Sequence, residues 1–68
     1  MNYKLVDLSK SHLKEMDHDG VFTELEDAET YAIGLFHDTT PIGIFSGDSD
    51  ITSDAPTSIV YGGNVYSA

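Results

Sequence analysis

Apolar and polar residues alternate at the start of the chain, through Tyr3-Lys4-Leu5-Val6-Asp7-Leu8, and the residue types favour extended backbone. That pattern predicts a first strand. Ser9 or Ser11 then supplies a cap for a short helix reaching about Met16, with Leu13 and Met16 on one side and Lys10 and Lys14 toward water. Asp17-His18-Asp19-Gly20 reads as a turn, and residues 23–29 as a second, acidic helix or irregular chain. Two apolar runs, residues 31–36 and 42–46, flank His37-Asp38-Thr39-Thr40-Pro41 at a spacing that predicts a β-hairpin. Gly34 and Gly43 lie inside those runs and predict a bulge or a close approach by another backbone.

Residues 47–58 are mostly Asp, Ser, Thr and Pro, with little to bury, and predict a mobile loop. After it, Ile59-Val60-Tyr61, Gly62-Gly63-Asn64 and Val65-Tyr66 read as a closing hairpin, or as an extended arm that adds a strand to a sheet elsewhere. The expected fold is α+β: a small antiparallel sheet with one or two short helices and an extended C-terminal arm or hairpin. It divides into a small α+β domain over residues 1–46 and a polar loop with a hairpin or docking arm over 47–68.

Size limits what this fold can achieve alone. A chain of 68 residues hides only about 60% of the surface that its unfolded form exposes. Cysteine is absent, so neither disulfides nor a thiolate metal site supplements the thin core, and docking on a partner or on further copies is the usual remedy. The lack of cysteine also fits a reducing compartment. The first residues carry no long apolar stretch and an early Asp7, which predicts neither a secretory signal nor a membrane anchor. The expected location is the cytoplasm of a host cell or the interior of a virion.

Charge separates the two parts of the chain. The only basic residues are Lys4, Lys10 and Lys14, and the net charge is −9. Beyond Lys14 stand eleven carboxylates, from Glu15 to Asp54, with no Lys or Arg among them. Such a field repels nucleic acid and anionic lipid, and attracts a basic protein surface or a cation. The plainer explanation is that acid keeps a small protein in solution.

One acidic segment has a pattern of its own. Residues 15–26 place Glu15, Asp17 and Asp19 at alternate positions, then Gly20, Phe22 and a final Glu26. This resembles the twelve-residue calcium loop of EF-hand proteins, in which alternate oxygens of a tight loop converge on a hard cation. The first place carries Glu rather than Asp, and Asp27 stands where the exiting helix of that family has an apolar residue. A solvated acidic turn is therefore the reading adopted, with no metal.

A second resemblance spans residues 3–46. The first strand, the short helix after it and Tyr31-Ala-Ile-Gly-Leu-Phe-His-Asp-Thr-Thr-Pro-Ile-Gly-Ile-Phe45 are similar to the opening β-α-β-β portion of GNAT-family acetyltransferases, whose hairpin carries a pattern like Pro41-Ile42-Gly43. The resemblance implies a minimal or degenerate relative. The glycine-spaced strand-to-helix loop that grips the pyrophosphate of acetyl-CoA in that family has no counterpart here, so no catalytic residue is carried over.

Nothing else in the sequence assembles a reaction centre. His12, His18 and His37 lack a partner set, and Ser46-Gly47 is not a nucleophile elbow. The expectation is a non-enzymatic protein without cofactor. Tyr3 and Tyr31 suit sheet packing, whereas Tyr61 and Tyr66 follow a polar stretch and suit an interface. The candidate partner-binding residues are accordingly Glu24, Glu26, Asp27 and Glu29 on the acidic side, and Ile59, Tyr61, Val65 and Tyr66 in the tail. Two functions fit them. One is an accessory or structural subunit of a larger assembly such as a virion, built from copies of itself or from other proteins. The other is a phage-type inhibitor whose carboxylates mimic nucleic acid on a basic groove. Neither binds nucleic acid directly or enters a membrane.

Overall fold

Four short strands pair in chain order into one antiparallel sheet, with a single helix inserted between the first and the second. The computed structural model describes residues 2–13, 15, 22–35 and 40–67. Strand β1 is Tyr3–Asp7, helix α1 is Leu25–Leu35, and β2, β3 and β4 are Ile42–Ser46, Ser58–Tyr61 and Asn64–Ser67. The α+β architecture read from the sequence, with its closing hairpin, is the one observed.

Register follows from which side chains need burial. Leu5 lies opposite Ile44, and Ile42 opposite Val60, so alternate positions of three strands share one face. Ala28 and Ala32 of α1 pack onto that face, and Leu5, Ile42, Ile44 and Val60 complete the buried cluster. Tyr3, Phe22, Leu25 and Ile33 close over its margins. The Phe22 and Tyr31 rings meet edge to face with centroids 5.1 Å apart, the arrangement aromatic quadrupoles prefer.

The opposite face of the sheet is also apolar near its centre, with Val6 and Phe45 buried. Gly43 explains how they fit. A Cβ built there would lie 2.9 Å from the Phe45 ring and 3.1 Å from Leu8, so these two side chains occupy the space that any other residue would fill. The close approach expected at Gly43 is real, but it is made by side chains and not by a backbone. On the same face the Lys4 ammonium donates to the carbonyls of Gly47 (3.2 Å) and Ser49 (2.7 Å), and so fastens the start of the loop after β2.

Three local expectations are corrected. Residues 31–35 are not a strand but the second half of α1, so the hairpin expected over residues 31–46 does not form; Phe36 and residues 37–39 lie outside the described residues. Leu25, Ala28, Ala32 and Leu35 recur at helical spacing, and this longer period prevails over the short apolar run. Gly34 accordingly marks no bulge; it sits on the exposed side of α1 with nothing within 4 Å of an added Cβ. The helix expected after Ser9 or Ser11 is absent among the described residues, where 8–13 form a turn and bends; Lys14 and Met16 are not described. Ser9 donates its N–H (2.9 Å) and its hydroxyl (2.6 Å) to the Asp7 carboxylate, a local bond that competes with helix capping.

The two outer edges of the sheet differ. Beside β1, Tyr3 donates its N–H to the Phe22 carbonyl at 2.8 Å, and Val6 bridges Glu15. Beside β4, no strand pairs among the described residues.

Candidate protein-binding surface

The C-terminal hairpin is built by its turn. Gly62 and Gly63 have φ values of 60° and 80°, the two successive left-handed residues of a type I′ turn, which suits the twist of a tight hairpin. Tyr61 is the partner of Asn64, Val60 of Val65, Ile59 of Tyr66 and Ser58 of Ser67. β3 also pairs with β2, so the hairpin continues the main sheet; Val60 carries it into the core and Ser58 is only 2% exposed.

The two strands have different surroundings. β3 lies inside the sheet, whereas every residue of β4 is exposed. Among the described residues the large apolar side chains left in water are Tyr61 (42%), Val65 (40%) and Tyr66 (51%), and all three belong to this hairpin. Alternation sorts them by face. Val65 shares the helix-covered face with Val60, while Ile59, Tyr61 and Tyr66 lie on the other. Helix α1 packs chiefly against β1, β2 and β3, and Val65 stays 40% exposed. Of the four tail residues selected from the sequence, Tyr61, Val65 and Tyr66 form this exposed corner and Ile59 is partly buried beside them.

The acidic candidates have a more local role. Glu26 and Asp27 occupy the first turn of α1, and the Glu24 carbonyl accepts the Ala28 N–H at 3.3 Å. Carboxylates at a helix N-terminus stabilise it against the macrodipole by about 0.3–1 kcal/mol each, which accounts for their presence without a ligand. Nor do they form one row. Glu29 turns toward β3, where its Oε2 accepts the buried Ser58 hydroxyl at 2.9 Å; Glu26, three residues earlier, shares that flank, and Asp27 is turned a further 100° away by the helical period.

Residues 47–57, expected as part of a mobile loop, are tied to the sheet at both ends, by the Gly47 N–H to the Asn2 carbonyl (2.6 Å) and the Thr57 N–H to the Ile44 carbonyl (2.7 Å), and between them by bonds of their own. The Asp50 carboxylate accepts the Thr52 N–H (3.0 Å) and hydroxyl (2.6 Å), and Asp54 accepts the Asp50 N–H (2.9 Å). The Thr52 bonds hold the Asp50 carboxyl below the usual carboxylate value. Of the residues that resemble a calcium loop, 16–21 lie outside the described ones; Glu15 bridges β1 and Glu26 belongs to α1. Among the described residues no group of three His, Cys, Asp or Glu side chains is placed to hold a metal ion, and no helix is long and apolar enough to cross a membrane. His12 is exposed, and His18 and His37 are not described.

Comparison with protein-family models, curated proteins and solved structures finds no match to this chain.

Proposed function

We propose that the protein is a non-enzymatic binding module that docks on another protein through its C-terminal hairpin, as an accessory or structural subunit of a larger assembly. The observation that carries this reading is the exposure of Tyr61 and Tyr66 on one face and Val65 on the other face of a single edge hairpin. Tyrosine is enriched at interfaces because its ring buries area at small entropic cost while its hydroxyl stays satisfied. A domain of this size gains stability from such docking.

The inhibitor reading asks more of the carboxylates. Mimicry of a phosphate backbone needs charges in sequence along one surface, and Glu26, Asp27 and Glu29 diverge around α1. The acids instead favour a basic partner over an acidic one through their summed field.

The test is recovery of the full-length protein with its associated chains from its native source, beside the Tyr61→Ser/Tyr66→Ser double variant. Both side chains are about half exposed, and circular dichroism and the thermal midpoint of the variant establish that it is folded before the comparison is made. Loss of the associated chains from the variant is the expected result; their retention shows that the hairpin is not the docking surface.

A further inference from the structure

We infer that the free edge of β4 accepts an extended, basic segment of a different protein as a fifth strand of the sheet. This rests on the hairpin-docking reading and specifies its geometry and partner chemistry.

The backbone direction comes from the turn. A two-residue loop makes its flanking residues a hydrogen-bonded pair, and such pairs alternate along an antiparallel ladder. Tyr61 with Asn64 and Ile59 with Tyr66 are therefore the bonded pairs, and the Val65 and Ser67 backbone groups point away from β3. No partner strand meets them among the described residues. An unpaired edge flanked by apolar side chains is a template for strand addition. Here nothing blunts it: β4 contains neither proline nor charge.

Charge selects the occupant. At the row where Ser58 faces Ser67 the two side chains on the helix face are small, and the Glu29 carboxylate stands over Ser58 at its inner end. Strands are spaced by about 4.8 Å, so a Lys or Arg opposite Ser67 on a fifth strand extends back over that row toward Glu29, with Glu26 on the same flank. The next residue of the added strand turns to the other face, beside Tyr66. A segment alternating basic and apolar residues fits both.

A second copy of this chain is the poorer occupant. It brings another net charge of −9 and no basic residue in β4, and a four-residue edge only about 13 Å long is a short seam on which to build the roughly 1,200 Å² of buried surface that a stable pair of folded proteins needs.

The experiment is amide hydrogen exchange, followed residue by residue by NMR, on the whole protein with a terminally blocked octapeptide of alternating Lys and Val. Exchange at Val65 and Ser67 is expected to slow by about tenfold when the peptide stands at about ten times its Kd. The same peptide N-methylated at every second residue, in either register, loses the effect in the register that blocks the bonds. A Glu–Val octapeptide gives none, and Glu29→Gln weakens binding of the Lys–Val peptide. Unchanged exchange at Val65 and Ser67 overturns the inference. So does equal protection by the Glu–Val peptide, or protection that rises with protein concentration alone, which identifies a second copy as the occupant. If native partners are lost from the double tyrosine variant while Val65 and Ser67 still exchange freely in the native complex, docking by the hairpin stands and strand addition fails.

Discussion

Asp7 and Asp50 use one local device, a carboxylate that accepts both the N–H and the hydroxyl of a Ser or Thr two residues later. For Asp7 the Ser9 hydroxyl is the larger cause and the Ser9 N–H the next, with Lys10 adding a favourable charge, and together they hold its carboxyl below the usual carboxylate value. The sign for stability follows. A carboxylate whose folded pKa lies below its unfolded value stabilises the fold fully above the ordinary aspartate value of about 3.9, and this contribution is lost as pH falls through the folded value. Ser9→Ala keeps the N–H and removes the hydroxyl, so the Asp7 pKa should rise toward its ordinary value in a carboxyl NMR titration; an unmoved pKa means that the hydroxyl bond is not made. The sequence carries this device as Asp7-Leu8-Ser9 and Asp50-Ile51-Thr52, but the expectation there is a helix cap at Ser9 or Ser11 and a mobile loop. What decides between the two uses of such a serine is the conformation of the chain that follows, and no single residue carries that information.

At the scale of elements, glycine distinguishes the helix from the hairpin. Gly34 stands on the open side of α1, where an added Cβ meets nothing within 4 Å; alanine there lowers the entropy of the unfolded chain and should stabilise by about 0.5–1 kcal/mol. Gly62 and Gly63 also have free space, yet both have positive φ, and an L-residue in that region costs about 1–2 kcal/mol. Chemical denaturation should therefore show Gly34→Ala raising the midpoint and Gly62→Ala lowering it. A gain at both positions contradicts the hairpin geometry. The Gly62-Gly63 turn was readable from sequence because two adjacent glycines between β-forming residues have few other uses. Helix α1 was not, because residues 31–36 satisfy a buried strand as well as a helix until Leu25 and Ala28 are counted with them.

For the whole molecule the governing quantity is the excess of acid over base. With three lysines against twelve carboxylates, the net charge of −9 acts as self-repulsion that opposes the compact state. Salt shortens the range of that repulsion, from about 30 Å at 0.01 M to about 10 Å at 0.1 M. The thermal midpoint should accordingly rise as sodium chloride is added. A fall would mean that screened attractions contribute more than repulsion.

The sequence alone determined the α+β class, strands over Tyr3–Asp7 and Ile42–Ser46, the C-terminal turn and the confinement of basic residues to the first fourteen positions. Each of these depends on neighbours a few residues apart or on composition, which a linear reading contains. Tertiary structure alone decided that residues 31–35 are helical, that Gly43 makes room for Phe45 and Leu8, and that Ser58 meets Glu29 across 29 positions of chain. It also decided that β3 became an inner strand while β4 became the edge. Strand order depends on which apolar faces α1 can cover at once, a competition among distant segments, and in this chain every residue of β4 is left exposed.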